Sequence, residues 1–258
     1  MLKKALALSA ISCAILASNV ASANESDSDW EFAIEPYLQG SSIYGNAGIG
    51  RADDLPVDVG FDDILEKLDS ALMLHFEALN TANNWGVMLD YGYMDLREEA
   101  STPNDGLANV RTRQGVFEAM AFKRFIYGNH TVDYFGGIRW WDNDISASIE
   151  VEGLPAGVGI EHDEDWVDAV IGARWWYSFA QDWRYHMRAD IGGFGAESDF
   201  TSAVFAGFEW KATDTLDINI GYKAMWVDYE NSSTISQPGY FKYDTVTKGP
   251  VLGASFKF

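Results

Sequence analysis

Cysteine is nearly missing from this chain: the single residue of that type, Cys13, sits in an apolar run near the N-terminus. If that run is removed on export, the mature chain has no thiol, which excludes disulfides and thiolate metal sites. Basic residues are also scarce, 18 against 39 acidic ones for a net charge of −21. A nucleic-acid partner needs a basic face, so that class is excluded. No segment beyond Val20 is apolar for long enough to make a spanning helix. Enzyme signatures are missing as well: there is no His-Glu-x-x-His helix, no G-x-S-x-G elbow and no Walker-type phosphate loop. Gly45, Gly48 and Gly50 are too sparse for a phosphate cradle, and Asp142-Asn143-Asp144 lacks the spacing of a calcium loop. No catalytic residue, metal ligand or cofactor is therefore assigned.

The N-terminus indicates export. Lys3 and Lys4 precede the apolar stretch from Ala5 to Val20, and Ala21-Ser22-Ala23 has the small-x-small form that signal peptidases cut. Residues 1–23 are expected to be a signal peptide and 24–258 a single domain. The residues before Cys13, Ala10-Ile11-Ser12, fit a lipoprotein signal poorly. Removal of 1–23 takes two lysines and no acid, leaving 16 basic and 39 acidic residues, a net −23. Ten tryptophans, twelve tyrosines and fifteen phenylalanines argue against disorder despite that charge.

Alternation with period two dominates the mature chain. Trp30, Phe32, Ile34 and Leu38 oppose Glu31, Glu35, Tyr37 and Gln39; Trp183, Tyr185, Met187, Ala189 and Ile191 oppose Arg184, His186, Arg188 and Asp190. Leu216, Ile218, Ile220, Tyr222, Ala224 and Trp226 oppose Asp217, Asn219, Gly221 and Lys223. Ten such stretches are read, at about 30–39, 71–79, 85–94, 110–124, 130–142, 166–178, 183–193, 200–210, 216–228 and 245–258. An even count returns both termini to one side of a membrane. The connectors at 80–84, 125–129, 179–182 and 211–215 are tight, whereas those at 40–70, 97–109, 143–165, 194–199 and 229–244 are mostly long, the length pattern of a barrel with a short-turn rim and a long-loop rim. Trp30, Trp85, Trp183 and Trp210 fall by the short turns and Tyr93, Trp140 and Trp226 toward the long loops, as two interfacial girdles would. The fold class is thus all-β: a closed antiparallel transmembrane β-barrel of ten strands, or twelve if the alternation at 145–152 and 158–161 spans the membrane. One helix is expected in the first long loop, from Phe61, Ile64, Leu65 and Leu68 with Asp62 and Asp63 in its first turn.

The inward faces of these strands carry the chemistry. Glu31, Glu35, Glu77, Asp90, Glu118, Asp133, Arg139, Asp168, Arg174, Arg184, His186, Arg188, Asp190, Glu209, Asp217 and Lys223 all face the lumen in this reading. Ions in a narrow interior require partners, so a cross-barrel network of salt bridges and hydrogen bonds is expected, in a bore that ten strands keep small. His186 with Asp190, and His75 with Glu77, share a lumenal face and supply the elements of a general base, though neither has an evident nucleophile beside it. The long connectors, taken as 40–70, 97–109, 143–165, 194–200 and 229–244, hold 21 acids and 4 bases. Such an acidic mouth attracts cations and repels anions.

The chain closes on Leu252, Ala254, Phe256 and Phe258 in strand register, a final strand like the assembly signal of outer-membrane barrels. Together with Glu35-Pro36-Tyr37-Leu38, Asp58 to Asp69, Gly137-Ile138-Arg139-Trp140-Trp141-Asp142, Trp166-Val167-Asp168, Gly172-Ala173-Arg174, Asp190-Ile191-Gly192-Gly193-Phe194 and Gly249-Pro250, this strand resembles an uncharacterised family of proteobacterial outer-membrane β-barrel proteins. The resemblance implies the fold and the outer membrane as location, and transfers no activity. The implied partners are outer-membrane lipids, the barrel assembly machinery acting through the last strand, and small cationic or neutral solutes. Three functions stand side by side: a narrow passive pore or structural membrane component, a lipid- or peptide-processing hydrolase using lumenal His and Asp, and a surface adhesin or receptor.

Overall fold

The computed structural model describes residues 29–101, 107–150, 158–235, 237 and 239–258; the expected signal peptide and Cys13 lie outside them. In chain order the elements are β1 (Trp30–Gln39), β2 (Ser42–Ile49), β3 (Ala52–Val59), α1 (Phe61–Lys67), β4 (Leu68–Asn80), β5 (Trp85–Ser101), β6 (Leu107–Tyr127), β7 (His130–Glu150), β8 (Val158–Ser178), β9 (Trp183–Gly192), β10 (Phe200–Lys211), β11 (Leu216–Glu230) and β12 (Phe241–Lys257). All pairings are antiparallel. Ten strands, β1 and β4 to β12, form the ring, and β1 pairs with β12 to close it. Phe32 and Phe258 exchange both backbone hydrogen bonds, each at 3.0 Å, so the last residue is tied to the first strand.

The two extra strands correct the sequence reading of 40–70, which placed only a helix there. β2 continues β1 along β12: Gln39 faces Val251 and Ser42 faces Lys248, with the line broken only at Gly40–Ser41. At this break the Gly40 carbonyl approaches Gly249 so closely that a Cβ at 249 would collide with it. On the other side of β1 the ladder to β4 ends at Pro36 opposite Leu74, where proline offers no N–H to continue it. β2 then pairs with β3 instead, and β3 carries Pro56, Asp53, Asp54 and Asp58, residues that discourage further pairing at an edge. The glycines of β2 and the Pro and Asp of β3 erase the period-two signal, which is why the sequence concealed both.

α1 bridges from this hairpin to β4. Asp63 accepts a hydrogen bond from the Gly60 N–H at 3.2 Å, Asp62 and Asp63 occupy the first turn, and Lys67 the last. Ile64 is buried, and the Phe61 ring lies against Gly40. Residues 145–150 and 158–161 lengthen β7 and β8 and add no spanning strand. β6, β7 and β8 each run 21 residues. About 9–11 residues cross a bilayer, so half of each strand projects beyond it.

Outward faces are apolar through the crossing region. Leu38, Leu72, Leu89, Ile138, Ile171, Ile191, Phe208, Ile220 and Leu252 are all exposed. Trp30 meets Trp85 edge-on at 5.2 Å and Trp183 stacks on Trp210 at 6.1 Å beside the short turns. An exposed apolar belt of this size, edged by aromatics, is a lipid-facing surface. No helix among the described residues is long and apolar enough to cross a membrane; the strands do so. Ile220 sits mid-strand on the lipid face at 56% exposure. Ile220→Arg is expected to cost about 2–4 kcal/mol in folding free energy, measured by denaturant titration in lipid vesicles, and wild-type stability of the variant would contradict this facing.

Candidate functional site

Inside the ring, charged side chains from different strands assemble into two neutral squares. In the deeper one, Arg139 on β7 contacts Glu118 on β6 at 2.6 Å and Asp190 on β9 at 2.9 Å, while Arg188 on β9 contacts the same acids at 2.6 and 3.1 Å. Arg139 is fully buried and also donates to the Thr201 hydroxyl at 2.9 Å; Asp190 accepts the Ala203 backbone N–H at 2.9 Å. The second square lies nearer the short turns. Arg124 on β6 contacts Asp133 on β7 at 2.9 Å and Glu77 on β4 at 3.0 Å, and Arg174 on β8 contacts them at 2.8 and 2.6 Å. Aromatic rings flank the guanidinium groups: Arg174 is 4.5 Å from Phe122 and 4.8 Å from Trp176, and Arg188 is 5.0 Å from Phe135.

The remaining lumenal residues divide into smaller groups. Asp90 accepts the Tyr37 hydroxyl at 2.8 Å, lies 3.2 Å from His75 and 3.9 Å from Lys223. His75 is also 3.9 Å from Glu77. At the short-turn mouth Arg184 pairs with Glu209 and Asp217, and Lys257 pairs with Asp217. Glu35 takes a 2.7 Å hydrogen bond from Asn219 and lies directly opposite His75 in the β1–β4 ladder. Glu31 is exposed at the mouth. Asp168 is fully buried and has no ion-pair partner among the described residues: the Ser198 N–H at 3.0 Å, the Ser198 hydroxyl at 2.8 Å and the Trp166 indole at 3.2 Å satisfy it, pinning the loop after β9. Arg124 and Lys257 were missed as site residues although both continue the inward register of their strands, Arg124 six residues beyond Glu118.

Above the deeper square the lumen is filled by rings. Trp141 stacks on Trp166 at 5.6 Å, Trp166 on Tyr229 at 3.8 Å, and Phe241, Met225 and Val227 pack against them. Gln114 donates to Asn143 at 2.8 Å and to Tyr243 at 3.0 Å, and Glu164 accepts from Tyr229 at 2.7 Å and Asn231 at 3.1 Å. A cavity of about 900 Å³ opens among the short turns and runs past Glu77, Arg124 and Arg174 of the second square, from Thr81, Asn84 and Thr215 at its rim to Asp90, Arg188 and Lys223 at its inner end. The lumen is therefore a one-ended vestibule beneath a closed upper half.

Neither lumenal histidine is set up as a nucleophile's base. His75 is bracketed by Asp90 and Glu77, and His186 lies between Trp176 at 4.6 Å and Phe205 at 5.0 Å. Neither has a Ser or Thr hydroxyl as hydrogen-bond partner among the described residues. On the outer face of the projecting strands, Asp144, Glu161 and Asp163 bring carboxylate oxygens within 4.8 Å of one another, a grouping across β7 and β8 that linear spacing could not reveal.

Removing one acid from the deeper square leaves two guanidinium groups short of a partner. Asp190→Ala is expected to destabilise the barrel by about 3–5 kcal/mol, read as a lowered denaturant midpoint in vesicles; an unchanged midpoint would mean that water already compensates these charges.

No protein-family model matches the chain, and no curated protein matches it. Solved structures share its fold. The outer membrane protease OmpT from Escherichia coli superposes with a TM-score of 0.55 at 11% identity, over 92% of this chain and 99% of that one. The translocator domain of the autotransporter NalP from Neisseria meningitidis does so with a TM-score of 0.50 at 10% identity, over 99% and 97%. The chain is an outer-membrane β-barrel: its ring closes on itself, its outer surface is apolar where it meets lipid, and its charges are turned inward or above the belt.

Proposed function

We propose that the protein is a non-conducting structural component of the outer membrane, with an acidic surface on the outer side. The observation that carries this reading is the stack of Trp141, Trp166, Tyr229 and Phe241 across the lumen, seated directly above a buried square of paired charges. A hydrated ion crossing it would have to displace close-packed rings and then break four buried ion pairs, each step costing several kcal/mol. Of the pore and structural readings, the sealed lumen favours the second. The protease likeness at 11% identity supports fold alone, and the two lumenal histidines lack the partners that hydrolysis by a side-chain nucleophile requires.

Delivery follows the usual route for such a barrel in this proposal: residues 1–23 direct export and are removed, and the β12 strand ending at Phe258 engages the assembly machinery. N-terminal sequencing of protein recovered from membranes is expected to begin at Asn24; a start at Met1 would refute the cleavage. In planar bilayers the well-folded chain is expected to leave the baseline current without discrete steps, and steps that scale with protein added would overturn the non-conducting reading.

A further inference from the structure

Lys248 is one of the few charges on the lipid-facing surface. It lies on β12 in the outward register of Val246 and Leu252, and its ammonium group sits 4.8 Å from the centre of the Tyr44 ring. Among the described residues it contacts no carboxylate, whereas Arg97, Arg113 and Lys242, nearer the long loops, are paired with Asp69, Asp144 and Asp54. Outward acids stand apart from it. Asp244 is four residues away along β12, about 13 Å at the rise of a strand, and Asp58 lies beyond Tyr44 on β3. A lysine on the lipid face without an acid is costly, and its flexible stem carries the charge to headgroup level.

The strand register gives its surroundings a shape. Directly beside Lys248 are Ser42 on β2 and Ala224 on β11, both small. One step toward the long loops, Tyr44 and Trp226 flank Val246 from either side. One step toward the short turns, Tyr222 lies opposite Pro250, and the Phe61 ring of α1 comes to 3.2 Å from the Cβ position of Gly40, which Pro250 also borders. The first residue of α1 therefore rests on the outside of the wall. The result is a shallow hollow floored by Ser42 and Ala224 and rimmed by aromatic rings, with the Lys248 stem crossing it toward Tyr44.

The upper rim is rich in donors: the Lys248 ammonium, the Tyr44 hydroxyl and the Trp226 indole N–H have no acceptor among the described residues. Below it Tyr222, Ile220, Leu252 and Phe61 are exposed and apolar. Donors at headgroup level above an apolar strip match an anionic head on a hydrocarbon tail. We propose that Lys248, Tyr44 and Trp226 bind the phosphate of an outer-leaflet lipid, with one acyl chain running over Tyr222, Ile220 and Leu252 beside α1. Free phosphate lacks the apolar contacts and a neutral lipid lacks the charge. Conductance reports the ring stack and the squares whereas lipid retention reports the outer wall, so the two readings fail separately.

The test is native mass spectrometry of the full chain released from maltoside micelles, with dimyristoylphosphatidylglycerol, dimyristoylglycerol or inorganic phosphate added. The phosphatidylglycerol adduct is expected to be retained, the diacylglycerol adduct to be weaker by about tenfold, the worth of one charge-assisted hydrogen bond, and inorganic phosphate neither to bind nor to displace the lipid. Lys248→Gln is expected to weaken the phosphatidylglycerol adduct by a similar factor and to leave the diacylglycerol adduct unchanged, while Lys248→Arg keeps both. Lys123→Gln is the control, since the Lys123 ammonium is already taken by the Asn83 carbonyl at 2.5 Å on the short-turn side. Equal retention of the two lipids, wild-type retention by Lys248→Gln, or an equal loss in Lys123→Gln would overturn the site, as would displacement by inorganic phosphate, which would mark a plain anion site. The wild-type lipid series decides the matter even where a variant fails to fold.

Discussion

The antiparallel ladder between β1 and β12 is the constraint on which everything else rests. In hydrocarbon an unpaired N–H or C=O costs several kcal/mol, so a spanning sheet must close. Here closure joins the first and last described strands and extends to Phe32 and Phe258. Closing ten strands sets a narrow bore, and the pleat turns alternate residues into it. The apolar belt outside and the ionic interior are two faces of one alternation. Where Pro36 ends the β1–β4 ladder, the chain restores pairing to β12 by recruiting the β2–β3 hairpin, so the upper part of the wall is repaired from the connector itself.

A narrow lumen inside a membrane puts a high cost on unpaired charge. The two squares meet this by combining residues that are distant in sequence: Glu118 and Arg188 are 70 positions apart, Arg139 and Asp190 are 51. Each square links three or four strands, so it resists shear of the ring as well as compensating charge. Below the deeper square the charges are again matched across strands, Asp90 with His75 and Lys223 and Asp217 with Arg184 and Lys257.

Much of the architecture was legible because alternation reports facing directly. Ile220 outward and Asp217 inward follow from one strand's period, and the ten ring strands are those read from the sequence. Partnership was not legible, since the strand register that places Arg139 beside Asp190 depends on the number of residues in every intervening turn. Nor was the filling of the upper lumen: alternation puts Trp141 and Trp166 on the inward face with Arg139 and Asp168, but only register brings their rings together in a stack. β2 and β3 went unread because glycine, proline and aspartate suppress the very pattern by which strands are recognised.

The projecting outer half follows a different rule from the membrane half. Across β7 and β8, Asp142 faces Asp165 and Asp144 faces Asp163, like charges in directly opposed positions that weaken a sheet. Arg113 pairs with Asp144 and relieves one of them. The rest of the ladder is held by contacts on its inner face, where Glu164 bonds Tyr229 and Asn231 and His162 stacks on Phe241 at 5.2 Å. The inner contacts thus clamp two groups of projecting strands over the ring stack while the outer acids stay in water. Opening the top would break this clamp and expose the stacked rings, whereas the vestibule below needs no rearrangement to admit a solute. Among the described residues the open space therefore lies on the short-turn side, and the outer side presents an acidic surface.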